Sequence, residues 1–103
     1  MTAQPMGYMI QFDVKPGREA DFRAAVDPVL DAMREEAGFV YSALTRDAET
    51  PDRFVLFEIW SDHDDVMNVQ LKRPYRAPMD AALEDILSSP RGVSMLHPLR
   101  TDT

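Results

Sequence analysis

Arg53-Phe54-Val55-Leu56-Phe57-Glu58-Ile59-Trp60-Ser61 decides the fold, because eight strand-forming residues run straight into a helix start. The run is apolar on both faces except at Glu58, the pattern of a strand covered on two sides. Upstream stands its counterpart, Val14-Lys15-Pro16-Gly17-Arg18-Glu19, where a strand ends and a helix begins. Proline cannot donate to a strand ladder and glycine admits a turn, so the period changes there. Gly7 to Val14 alternates: Tyr8, Ile10, Phe12 and Val14 share one face, Met9, Gln11 and Asp13 the other. From Arg18 the period is helical, with Phe22, Val26, Val29 or Leu30, Met33 and Ala37 on one stripe. Pro28 is expected to kink or split this helix near Asp27, and Gly38 to stop it.

Phe39 to Arg46 reads as a second strand, with Phe39, Tyr41 and Ala43 on one side and Val40 and Leu44 on the other. Asp47-Ala48-Glu49-Thr50-Pro51-Asp52 is a polar turn that makes a hairpin with the Arg53 strand. Ser61 is expected to cap a second helix, with Asp62, Asp64 and Asp65 in its first turn. Pro74 and Pro78 break that region, and a last strand spans roughly Val93 to Leu99. The helices are placed at about 18–37 and 62–87, the second interrupted near Pro74. The order βαββαβ gives an α+β, ferredoxin-like domain: a four-stranded antiparallel sheet with two helices on one face.

Residues 1–103 read as a single domain with its core at about 7–99. The chain has an apolar fraction of 45%, a charged fraction of 28% and no cysteine, which excludes a disulfide framework and a thiolate nucleophile. A net charge of -7 argues against nucleic acid and anionic lipid as partners. No signal-peptide pattern or membrane-spanning run is present, so a cytoplasmic protein is expected. Two helices cover only one face of the sheet, and strands two and three are apolar on both. A bare apolar face is rarely left exposed, so a homodimer with sheets facing each other is expected. On that reading a charge at a sheet-face position such as Leu56 should dissociate or unfold the dimer.

Taken together, Val14 to Glu19 with Phe22, Glu35-Glu36-Ala37-Gly38, Tyr41, Arg46-Asp47, Pro51 to Phe54, Glu58-Ile59-Trp60 and Tyr75 resemble the antibiotic biosynthesis monooxygenase family. That family lies within the dimeric α+β barrel superfamily, and the resemblance runs from about Tyr8 to Leu99. It implies a set that includes cofactor-free oxygenases of polycyclic phenols and quinols, haem-degrading enzymes and an isomerase of a phosphorylated signalling sugar. Members with catalytic histidines often carry them nine and fourteen residues after the tryptophan; those positions here are Val69 and Pro74. The haem-degrading branch uses a strand-one asparagine and a late-helix histidine, where this chain has Ile10 and about Met79.

Glu58 is the candidate catalytic group: a buried carboxylate with a raised pKa can act as a base toward a phenol. The alternative is a structural carboxylate bonded to Arg46, Gln11 or a strand terminus. Trp60, Asn68, Gln70 and Tyr75 are the candidate substrate-binding residues, around an opening that the broken second helix leaves beside Trp60. Each has a plainer alternative: core packing for Trp60 and Tyr75, a solvated helix surface for Asn68 and Gln70. His63 among its aspartates reads as a solvated helix start rather than a metal site, because consecutive helical residues point apart. His97 reads as peripheral. No glycine-rich phosphate loop, haem ligand set or metal cluster is visible, so no cofactor is expected. Two functions fit: a cofactor-independent monooxygenase or related enzyme on an aromatic or quinol-like substrate, or a non-catalytic dimeric module that binds a small apolar ligand or serves assembly.

Overall fold

The computed structural model describes residues 3–102. Its strands are β1 (Met6–Asp13), β2 (Phe39–Arg46), β3 (Arg53–Trp60) and β4 (Gly92–Leu96), all antiparallel in the order β2-β3-β1-β4. The helices are α1 (Glu19–Met33), α2 (His63–Asn68) and α3 (Ala77–Ile86), with 3₁₀ turns at Gln70–Lys72 and Pro74–Arg76 between the last two. This is the ferredoxin-like α+β architecture that the element order predicts.

Alternation in β1 and β3 sorts the residues between two faces. Tyr8 and Phe12 stand opposite Glu58 and Phe54 in the β1–β3 register, and with Leu56 and Trp60 they face the helices. Phe22, Val26, Val29 and Met33 of α1 and Met79, Leu83 and Ile86 of α3 close this layer, with Trp60 and Phe22 wholly buried. The Phe22 ring lies between Phe12 and Phe54, at centroid distances of 5.1 and 4.8 Å. Such fully enclosed rings are each worth about 3–5 kcal/mol against truncation to alanine.

Gly17 takes a φ of +80° in the turn between β1 and α1, which a side chain would strain. Four local expectations are corrected. First, α1 is not split at Pro28 and ends at Met33, so Ala37 lies outside it and is exposed. Burial of Val26, Val29 and Met33 on either side of Pro28 offsets the lost backbone bond.

Second, Gly38 does not cap that helix. Its carbonyl accepts from Ser61 N–H at 2.9 Å, and a Cβ there would meet Ser61 Oγ at 3.3 Å. Close approach of β2 to the start of α2 is the reason for glycine. Third, Asp62 rather than Ser61 caps α2, accepting from the Asp64 N–H at 3.1 Å. Pro78 falls in the first turn of α3, where its missing N–H costs nothing, so the break belongs to residues 69–76.

Fourth, a register shift between Phe39 and Tyr41 bulges β2. Phe39 therefore turns to the helix side and meets Trp60 edge-on at 5.7 Å, while Tyr41 and Ala43 lie opposite Ile59 and Phe57 on the other face. That outer face carries Met9, Tyr41, Phe57, Ile59 and Leu96, and Met9 is 43% exposed. Leu56, 5% exposed, packs under the helices and is not a position on that face. Among the described residues, no helix is long and apolar enough to cross a membrane.

Candidate functional site

The break between α2 and α3 leaves a cleft of about 440 Å³ against the helix-facing side of the sheet. Ile10, Val93 and Met95 of the sheet and Val66, Met67 and Leu71 of the broken segment give it apolar walls. Five polar or charged groups converge on it besides: Tyr8, Glu58, Arg76, and Asp80 and Arg91, which form an ion pair at 2.8 Å. A larger, more open groove of about 680 Å³ runs along α3 and residues 87–91, but no buried titratable group lines it.

Glu58 is 5% exposed, and its Oε1 accepts from the Trp60 indole N–H at 3.1 Å. Burial pushes its pKa up; the Trp60 hydrogen bond and the positive charge of Arg76 pull it part of the way back. Neither of the two side chains expected as structural partners holds it, since Arg46 pairs with Glu19 and Gln11 donates to Asp13. The group is a carboxyl kept weakly acidic in the cleft wall, with one acceptor oxygen not committed to a partner among the described residues.

Tyr8 stands directly across the strand pair from Glu58, and its hydroxyl meets His63 Nδ1 at 2.5 Å. Burial raises its pKa, with smaller contributions from the charges of Glu58 and Asp62. His63 is thus not merely solvated: its ring stacks beside Tyr8 at 6.0 Å, and its backbone N–H donates to Gln4. The neighbouring aspartates do not converge on it; Asp62 caps α2 and Asp65 accepts from Gln70.

Of the residues expected at the site, only Glu58 lines this cleft. Trp60 is wholly enclosed behind Glu58 and reaches the cleft only through that hydrogen bond. Asn68 is exposed at the end of α2. Gln70 is 2% exposed and points away, donating to Glu36 and Asp65 at 3.2 and 3.1 Å. The Tyr75 hydroxyl also turns to Glu36, at 3.4 Å, and Arg73 joins the same carboxylate at 3.1 Å. Glu36 therefore gathers three side chains of the broken segment onto the end of α1. An opening beside Trp60 is filled by this packing; the usable space lies one step away, around Tyr8, Glu58 and Arg76.

Sequence reasoning left out Tyr8, Arg76 and His63 as site residues. Alternation does place Tyr8 with Ile10, but only the β1–β3 register sets it opposite Glu58. Arg76 carries no periodic signal, because a 3₁₀ turn and not a helix presents it.

The fold and this cleft define a ferredoxin-like α+β domain with a buried acid in an apolar ligand-sized cavity. The chain belongs to the antibiotic biosynthesis monooxygenase family, whose model matches residues 5–77. A Pestalotiopsis microspora protein described as a "putative monooxygenase" is 34% identical over 99 residues, spanning 92% of this chain and 82% of that protein. The structure of SnoaB from Streptomyces nogalater, a cofactor-independent oxygenase, is similar with a TM-score of 0.80 at 23% identity, covering 96% of this chain and 97% of that one. Rv0793 from Mycobacterium tuberculosis is similar with a TM-score of 0.84 at 23% identity, covering 96% and 99%. Asp80, Arg91, Val93 and Met95 lie beyond the matched 5–77 span, so one wall of the cleft is outside the family signature.

Proposed function

We propose that this protein is a cofactor-independent monooxygenase that acts on an aromatic, quinol-like substrate in the cleft between the sheet and the broken helix. The observation that carries the reading is Glu58, a buried carboxylate of raised pKa in the wall of an apolar cavity of about 440 Å³. A volume of that order suits a small polycycle. Glu58 takes the phenolic proton, and the electron-rich phenolate reacts with dioxygen. One oxygen atom becomes bonded to a ring carbon as the O–O bond breaks; the other leaves as water with two protons. The substrate's own C–H and O–H bonds supply the four electrons, so the protein's part is positioning, proton transfer and exclusion of water. Trp60 serves this reading as the donor that holds Glu58, while Gln70 and Tyr75 are proposed as supports of the segment rather than as substrate contacts, and Asn68, exposed at the end of α2, has no part in it.

The functional unit in this proposal is a homodimer, joined through the outer sheet face, with each subunit carrying its own cleft in the cytoplasm. Val69 and Pro74, in place of the histidines found in some relatives, favour a second reading: a non-catalytic module that binds an aromatic ligand. Oxygen uptake with a panel of phenols, naphthols and anthrones, without added flavin or metal, separates the two. Turnover that Glu58→Gln lowers supports the enzyme. Saturable binding with no oxygen consumed across the panel leaves the module.

A further inference from the structure

Arg76 is only 9% exposed and forms part of the cleft wall, yet it pairs with no carboxylate among the described residues. Two other arginines of this region differ: Arg73 has Glu36, and Arg91, also in the cleft wall, has Asp80. Two Arg76 nitrogens, Nε and Nη2, are closed off from solvent without a hydrogen-bond partner among the described residues, and the guanidinium carbon lies 5.9 Å from the centre of the Tyr75 ring. A guanidinium is a planar cation with its donors in a fixed fork, and it suits a carboxylate or another anionic oxygen. A buried, under-satisfied cation is costly unless an anion meets it. Glu58 feels its charge but does not bond to it. The charge is shared over all three nitrogens, so an anion that enters from the cleft compensates the whole group.

We propose that Arg76 recognises an anionic oxygen group on an aromatic ligand in this cleft, a carboxylate or a phenolate. The inference rests on the reading of the cleft as a ligand site, and it names what that ligand must carry. The apolar walls take the ring system, and Arg76 discriminates between charged and neutral versions of one skeleton. A preformed cation in a low-dielectric wall favours the anion far more than it would in water. Arg91 already has a partner and is not assigned this role.

Three ligands of one size test this by calorimetry and absorbance at pH 7: 2-naphthoate, 2-naphthamide and 2-naphthol. The wild-type protein is expected to bind 2-naphthoate at least tenfold more tightly than 2-naphthamide. Arg76→Met should erase that preference while amide binding persists, Arg76→Lys should keep part of it, and Arg23→Gln, exposed on α1 and outside the cleft, should leave it intact. If the phenolate is the group recognised, bound 2-naphthol shows phenolate absorption in the wild type and loses it in Arg76→Met. Either result supports the proposal and identifies the source of the charge. Equal affinity for naphthoate and amide, with naphthol bound neutral, overturns it; so does a preference that survives Arg76→Met.

The melting temperature of the ligand-free Arg76→Met protein supplies a second reading. It should hold or rise when an unmet buried charge is removed; a fall with selectivity unchanged makes Arg76 a structural residue and overturns the proposal. Failure of all three ligands to bind at millimolar concentration removes the cleft reading and the proposal with it. Selective binding without oxygen uptake keeps Arg76 in its role and removes the oxygenase alone.

Discussion

Glu58 and Trp60 are two positions apart on one strand, and each explains the other. The indole N–H needs an acceptor when buried, and the carboxylate needs a donor to remain ionisable away from water. Glu58→Gln preserves an acceptor for that N–H, so the fold should survive while turnover falls by about 10²–10⁴ if the group is the base. The folded pKa is raised, so ionisation of the buried carboxyl weakens the native state. Wild-type stability should therefore decline relative to Glu58→Gln as pH rises from the ordinary carboxylate range through the raised value, then level off. Melting curves of both proteins across that window check the sign; a constant difference would remove the burial argument. Trp60→Phe withdraws the donor, and the acidic limb of kcat/KM should move to higher pH.

The broken segment between α2 and α3 shapes the cleft, and its form depends on one acid outside it. Glu36 takes hydrogen bonds from Gln70, Arg73 and Tyr75, holding residues 70–76 in 3₁₀ turns against the end of α1. Glu36→Ala should destabilise the domain by about 1–3 kcal/mol, because it leaves the buried Gln70 amide with one partner fewer. Amide exchange should quicken first over residues 69–76 and leave β1 and β3 protected. Uniform acceleration across the sheet would show that the segment has no local stability of its own. Pro74 and Pro78 announced an interruption in the sequence, though Pro78 falls in the first turn of α3. Which side chains the interruption turned inward was not legible there, because a 3₁₀ turn resets the angular phase on which helical periodicity depends.

Among the described residues, the outer face of the sheet has no helix packed over it. Met9, Tyr41, Phe57, Ile59 and Leu96 share it, and residues Pro98 to Asp102 approach it at Tyr41, Phe57 and Ile59. If two copies meet there, light scattering gives twice the 11.7 kDa chain mass. Phe57→Glu should then yield a folded monomer or a lower dimer affinity, because Phe57 sits on the open face. A charge at Leu56 should instead unfold each subunit, since that side chain lies beneath the helices. A wild-type monomer at micromolar concentration, or Phe57→Glu with an unchanged mass, would refute sheet-to-sheet pairing.

From its residues alone this chain declared the βαββαβ order, through the change of period at Pro16-Gly17 and again past Trp60, and with it the buried faces of β1 and α1. It also singled out Glu58, because a lone carboxylate in an apolar strand is conspicuous wherever the strand lies. Strand β3 is apolar on both sides, so periodicity could not say which face Leu56 or Phe57 joins; only pairing with β1 settled that. The bulge at Val40 reversed Phe39 for the same reason, since strand alternation survives only while pairing stays regular. Tyr8 reached Glu58 through register, His63 reached Tyr8 across 55 positions, and Arg76 entered the cleft from a turn. Local periodicity reports the face that one segment buries. Which side chains meet in a cleft depends on how separate segments dock, and that is decided by tertiary packing.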